Sequence, residues 1–145
     1  MMHAHVFETG REFLIRLKTG DDLLTSLTDF AKNHGVRAGW INYLGAISHA
    51  SLRFYNQNDK AYEDFDIEGH LEVLAGIGNI SELDGEPFVH THIAVADRDG
   101  KGMGGHVNVG TTVFAIEVRI EEILGDPPER VFDELTGLSL WGGTL

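Results

Sequence analysis

The segment GEPFVHTHIAVADRDGKGMGGHVNVG, residues 85–110, carries the densest chemical signal in the chain, and its reading decides how the sheet is paired. PFVHTHIAV has the composition of a strand, and on a strand His90 and His92 emerge on the same face. DRDG is a turn signal. A three-residue loop of Arg98, Asp99 and Gly100, with the glycine left-handed, forms a hairpin closed by Asp97 and Lys101. In that register His92 lies opposite His106. Facing Cβ atoms are then ~5 Å apart, close enough for both rings and His90 to converge on one ion with Zn–N contacts of ~2.0 Å. A two-residue loop at Asp99-Gly100 would instead turn His106 to the opposite face. Gly102, Gly104 and Gly105 also offer places for bulges, so the metal site stands or falls with the register. Three histidines leave a coordination position open for water, a substrate or a carboxylate.

Working outward, the rest of the chain alternates short apolar runs with turn residues. EFLIRLKTG suits a first strand from about Arg11 to Lys18, ended by Gly20. DDLLTSLTDFAKNHG then places Leu23, Leu24, Leu27, Phe30 and Ala31 on one helical stripe. Asp21 and Asp22 precede that helix, Lys32 and His34 sit near its end, and Gly35 stops it, which matches the helix dipole. RAGWINYLGAISHASLRFYN, YEDFDIEG, HLEVLAGIGNISEL and TVFAIEVRIEEIL are rich in Val, Ile, Phe, Tyr and Thr, with Gly, Asn and Asp between them. The expected fold is α/β (α+β): a mostly antiparallel sheet with one main helix packed on it. The tail from Asp126 to Trp141 reads as a short helical turn and a last strand.

Composition bounds the function. With 145 residues, 42% hydrophobic and 23% charged, the chain is expected to form one domain, 1–145, around one core. A chain this long buries ~70% of its unfolded surface and needs no metal merely to fold. The absence of cysteine removes disulfides, thiolate catalysis and Cys-based zinc sites, so only His, Asp and Glu remain as metal donors. The 23 acidic residues outnumber the 11 basic ones, the formal charge is -12, and the cations are scattered singly. That balance argues against binding a polyphosphate backbone. MMHAHVFETGREF is not a secretory signal and no apolar run approaches the ~20 residues of a membrane span, so a cytoplasmic protein is expected.

Other candidates carry less. GKGMGGH precedes a strand and lacks the Lys-Ser or Lys-Thr pair of a phosphate-binding loop. His3 and His5 repeat the two-residue spacing at a terminus, where a frayed end competes with a second metal site. Glu72, Glu82 and Glu86 flank the histidines as possible bases or a fourth ligand, against a reading as solvated turn and edge residues. Ser48, Ser51 and Ser81 have no His and Asp partners at an interpretable spacing. Trp40, Tyr43 and Phe54 are expected in the core.

Three stretches together resemble the plants and prokaryotes conserved (PPC) domain, which stands alone in bacteria and archaea and follows AT-hook motifs in plant nuclear proteins. They are the Gly20-Asp21-Asp22 turn leading through the helix to WINYLGAISHASLRFYN, the segment GHLEVLAGIGNIS at residues 69–81, and PFVHTHIAVADRDGKGMGGHVNVG. The last is similar to the family's P-x-x-H-x-H and G-G-H-L pattern. The resemblance covers about Arg11 to Ile123. It implies a strongly bent antiparallel sheet, a homotrimer, and a zinc ion held by the matching His90, His92 and His106. His70 replaces the arginine common in the GRFEIL-type strand of plant members, while Glu72 matches that motif's glutamate.

Three functions follow as expectations. The first is a zinc-binding homotrimeric interaction or regulatory module for a protein or small-molecule ligand. The second is a metal-dependent enzyme acting on a small molecule through zinc-bound water. The third is the DNA-binding role that the family label suggests. In plants the AT-hook makes that contact, and no Arg-Gly-Arg core occurs here; three subunits would carry roughly -36, which opposes phosphate binding.

Overall fold

The computed structural model describes residues 2–142. β1 (Glu8–Leu17) leads to α1 (Leu23–His34), followed by β2 (Gly39–Asn56), β3 (Ala61–Leu83), β4 (Glu86–Ala96), β5 (Gly102–Val107), β6 (Thr112–Leu124), β7 (Arg130–Asp133) and β8 (Leu138–Trp141). The main sheet has the order β1-β6-β2-β3-β4-β5, and all its pairings are antiparallel. This is the α+β fold expected from the sequence.

The helix forms where the apolar stripe requires it. The Asp22 side chain accepts a hydrogen bond from Thr25 N, and Gly35 closes the other end at φ 64°, a cap of about 1 kcal/mol at the N-terminus. Leu23, Leu27 and Ala31 are fully buried against the inner face of the sheet, and Leu24 and Phe30 pack at the margin. Complete burial of each leucine contributes about 1.5–3 kcal/mol.

The sheet is bent because its longest strands are interrupted. Register shifts fall between Tyr43 and Gly45 and between Ile47 and His49 on β2, and between Val73 and Ala75 against β4. Such irregularities bend a strand and increase its twist. Beyond them β2 leaves β6 and pairs through Leu52 and Arg53 with Val107 and His106 of β5. Strands β2, β3, β4 and β5 therefore close a ring of pairings around Ile47, Leu52, Leu71, Val95 and Val107. On the other flank, Arg11 Nε lies 2.7 Å from Oε2 of the buried Glu122, tying β1 to β6.

Several sequence expectations change here. YEDFDIEG and HLEVLAGIGNISEL are one 23-residue strand, because Gly69 sits at φ 108° within the ladder instead of ending it. The tail contains no helical turn among the described residues. It forms the β7–β8 hairpin, whose turn is held by Asp133 accepting hydrogen bonds from Thr136 N and Oγ1. Tyr43 is in the core as expected, but Trp40 and Phe54 are 45% and 62% exposed. Trp40 lies on the outer face, where Trp141 covers its edge, and Phe54 lies where β2 has run past the core. No helix is long and apolar enough to cross a membrane among the described residues.

Candidate metal centre

The hairpin has the register that brings the three histidines together. Asp97 N bonds to Lys101 O, Gly100 N bonds to Asp97 O, and Gly100 takes φ 76°. The Asp97 carboxylate also accepts from Asp99 N and Lys101 N, which fixes the loop at three residues. His92 consequently pairs with His106, and the ladder runs without a bulge to Ala96 and Gly102. Glycine at position 104 has a different reason from bulging: a Cβ there would lie 2.2 Å from the Ile93 carbonyl oxygen.

All three rings emerge on the outer face, away from the helix. Ring centroids are 5.0 Å apart for His90–His92 and for His90–His106, and 5.3 Å for His92–His106. The Nε2 atoms of His90 and His92 are 3.1 Å apart, and one nitrogen from each of the three rings lies within 4.8 Å of the others. Donors around a tetrahedral zinc at ~2.0 Å are ~3.3 Å apart, so modest ring rotation would complete the set. Burial, with the Arg130 guanidinium and His92 adding to it, holds His90 down to about 4. Burial and the neighbouring His90, His92, Arg53 and Arg130 hold His106 down to about 4 as well. Both rings are therefore neutral at pH 7, which is the form that ligates a metal. An all-imidazole set suits zinc and other first-row divalent ions better than calcium or magnesium.

Beneath the cluster lies a polar chain. The buried Tyr43 hydroxyl lies 3.0 Å from Thr91 Oγ1 and donates to His92 O at 3.3 Å, while Thr91 Oγ1 donates to Ile77 O at 3.0 Å. Burial pushes the Tyr43 phenol up to about 12, so it remains a donor. The Tyr43 ring can lie there because position 76 is glycine: a Cβ would be 2.0 Å from Tyr43 Cε2.

Sequence reasoning missed the flank of the site. Tyr62 lies against His106 with ring centroids 5.3 Å apart, and the Arg53 guanidinium sits 4.7 Å above the Tyr62 ring. On the other side, Arg130 of β7 donates to Ser81 Oγ, Asn79 Oδ1 and Ser139 O. It also lies 4.8 Å from the centroid of Phe88. Asn79 is the cross-strand partner of His90, so Arg130 adjoins the cluster. Only the three-dimensional course of the tail puts it there.

The carboxylates proposed from sequence lie elsewhere. Glu82 is paired with Arg37, Glu86 with Lys32, and the exposed Glu72 lines a groove of about 300 Å³ with His70 and Arg98. Ser81 is buried as an acceptor for Arg130. His3 and His5 line a separate cavity of about 240 Å³ with Trp40 and Trp141, and His5 stacks on Phe7. Among the described residues, His90, His92 and His106 are the group of metal-type donors placed closely enough to hold one ion, with no carboxylate in it.

Known proteins share this arrangement of strands. A metal-containing protein from Archaeoglobus fulgidus has a TM-score of 0.93 and 39% identity, with 98% of this chain and 100% of that one covered. A plant- and prokaryote-conserved (PPC) protein from Pyrococcus horikoshii gives 0.92 and 33%, with 99% of each chain covered. The Bifunctional protein GlmU of Synechococcus sp. (strain JA-3-3Ab) is 35% identical over 123 residues, 84% of this chain, which spans only 18% of that protein's length. The profile of the Plants and Prokaryotes Conserved (PCC) domain matches residues 4–124, from the N-terminal segment to the end of β6 and across the whole histidine hairpin. By that match this chain belongs to the Plants and Prokaryotes Conserved domain family.

Proposed function

We propose that this chain is a zinc-binding ligand-recognition module that works as a homotrimer, with His90, His92 and His106 as the protein ligands. The observation that carries the reading is the convergence of three imidazoles within 4.8 Å on an outer face, with His90 and His106 held neutral at pH 7 and no carboxylate among them. A bound divalent ion would supply Lewis acidity at the position the histidines leave open. The chain's own residues orient the donors: Tyr43 and Thr91 hold the backbone at His92, and the Asp97 turn holds His106 opposite.

Assembly draws on the same face. Leu14, Arg119, Asn42, Ile77, His92 and His106 form one row across β1, β6, β2, β3, β4 and β5. Leu14 in that row, and Leu44, Leu74 and Phe114 beside it, are 87%, 56%, 62% and 60% exposed. Leucines on neighbouring strands left this open to water favour burial against another surface, and further copies of the chain are the occupant that the family resemblance implies.

A metal-dependent enzyme is the second reading, favoured by the exposed side of the cluster. Against it, Glu82 and Glu86, which a general base would require, are paired with Arg37 and Lys32. The net charge of -12 continues to oppose direct DNA binding. Calorimetric titration of zinc into chelator-treated protein, with the mass followed by sedimentation equilibrium, tests the module. One zinc per chain and a threefold mass are expected; a monomer that takes up no zinc would refute it.

A further inference from the structure

Arg130 is a cation in an unusual position. It is only 9% exposed, and no ion pair to a carboxylate is made by it among the described residues. Its three hydrogen bonds go to neutral acceptors, namely Ser81 Oγ, Asn79 Oδ1 and Ser139 O. A guanidinium carries five N–H groups, so two remain, one on each terminal nitrogen. Burying a charge without a counter-charge is costly, and neutral hydrogen bonds and the Phe88 ring offset only part of that cost. Arg53, the other guanidinium near the cluster, is already matched by Asp64 through contacts of 3.0 and 3.3 Å. The surroundings of the histidines thus hold one uncompensated positive charge, in a protein whose net charge is strongly negative.

We propose that Arg130 makes the outer face of the histidine cluster a receptor for a small monocarboxylate, which it grips with its two remaining N–H groups beside the open coordination position. The proposal rests on the metal reading above and names its ligand class. A planar guanidinium fork matches two carboxylate oxygens better than an amide or a single-point anion. A bound divalent ion would add its own charge to that of Arg130, so the choice of a carboxylate rests on the planar two-point match to the two remaining N–H groups and not on a count of charge. Tyr62, packed on His106, stands on the opposite flank and bounds the size of what fits. The C-terminal hairpin thereby gains a role: β7 delivers the cation that β3 and β4 lack at this place.

The test uses cobalt(II)-loaded full-length protein, whose visible absorption reports what enters the open position. Cobalt content is measured first, then acetate, inorganic phosphate and neutral acetamide are titrated separately. Wild type should hold one cobalt per chain and respond to acetate at lower concentration than to phosphate or acetamide. Arg130→Gln should keep its cobalt and lose about tenfold or more in acetate affinity, as expected when a charged hydrogen-bond donor is removed. Arg130→Lys, which keeps the charge and loses the fork, should fall between the two and carries the test if Arg130→Gln does not fold. Unchanged acetate affinity in a variant that folds and holds cobalt would overturn the carboxylate site and leave the metal site standing. Preference for phosphate would overturn it likewise. Failure of wild type to hold cobalt would overturn both.

Discussion

His92 stands directly opposite His106 across the β4–β5 ladder, with ring centroids 5.3 Å apart, because three residues and not two form the turn between the strands. Side chains alternate faces along a strand, so shortening the loop by one residue reverses every β5 side chain relative to β4. Deleting Asp99 should therefore abolish tight zinc binding while leaving a folded protein with native-like circular dichroism. Retention of full metal content in that deletion would separate the site from the turn.

The stability of the metal-free protein should depend on pH in a defined direction. His90 and His106 are held to about 4, chiefly by burial, whereas an imidazole in the unfolded chain titrates near ~6.5. As pH falls below ~6.5 the unfolded chain takes up protons that the folded one refuses, so stability drops until about 4. His49 works the other way, since Glu68 and Asp66 raise it. The measurement is the difference in urea midpoint between wild type and His90→Gln/His106→Gln from pH 7.5 to 4.5. Wild type should lose stability faster on acidification; parallel curves would contradict the burial of these rings.

The support under His92 can be removed piecewise. Tyr43→Phe deletes the hydroxyl shared with Thr91 and should cost about 1–2 kcal/mol in urea denaturation, with zinc stoichiometry unchanged. Gly76→Ala forces a methyl into the Tyr43 ring and should cost about 1–3 kcal/mol. Because the two sites touch, the penalty of Gly76→Ala should shrink in a Tyr43→Ala background. Strict additivity would mean that the ring and the glycine are not coupled.

Assembly is open to a surface substitution. Leu44→Asp places a charge on an exposed apolar side chain of the outer face, where a lone chain would lose little stability. It should convert the proposed trimer to a smaller species in sedimentation equilibrium without lowering the circular-dichroism signal. An unchanged mass would place the contacts elsewhere.

Local rules made much of this legible. Helix α1 follows from an apolar stripe with Asp22 and Gly35 at its ends, and DRDG marks the histidine hairpin, whose three-residue loop is one of the two that the sequence allows. What sequence could not supply comes from the bend of the sheet. Trp40 and Phe54 look like core aromatics, but strand position leaves one on the outer face and the other beyond the core. Gly69 resembles a strand end because a positive φ is normally found at a turn, yet here it is absorbed inside a long ladder. Arg130 lies 40 residues from His90 in the chain and reaches it only because β7 packs beside β3, a tertiary contact with no local signature.

The most direct test of the metal centre is elemental analysis of zinc-loaded protein after exhaustive removal of free metal. Wild type and His70→Ala, altered outside the cluster, should each hold about one zinc per chain, while His90→Ala and His106→Ala should hold little or none. Normal zinc in His106→Ala, or its loss in His70→Ala alone, would contradict a centre built from His90, His92 and His106.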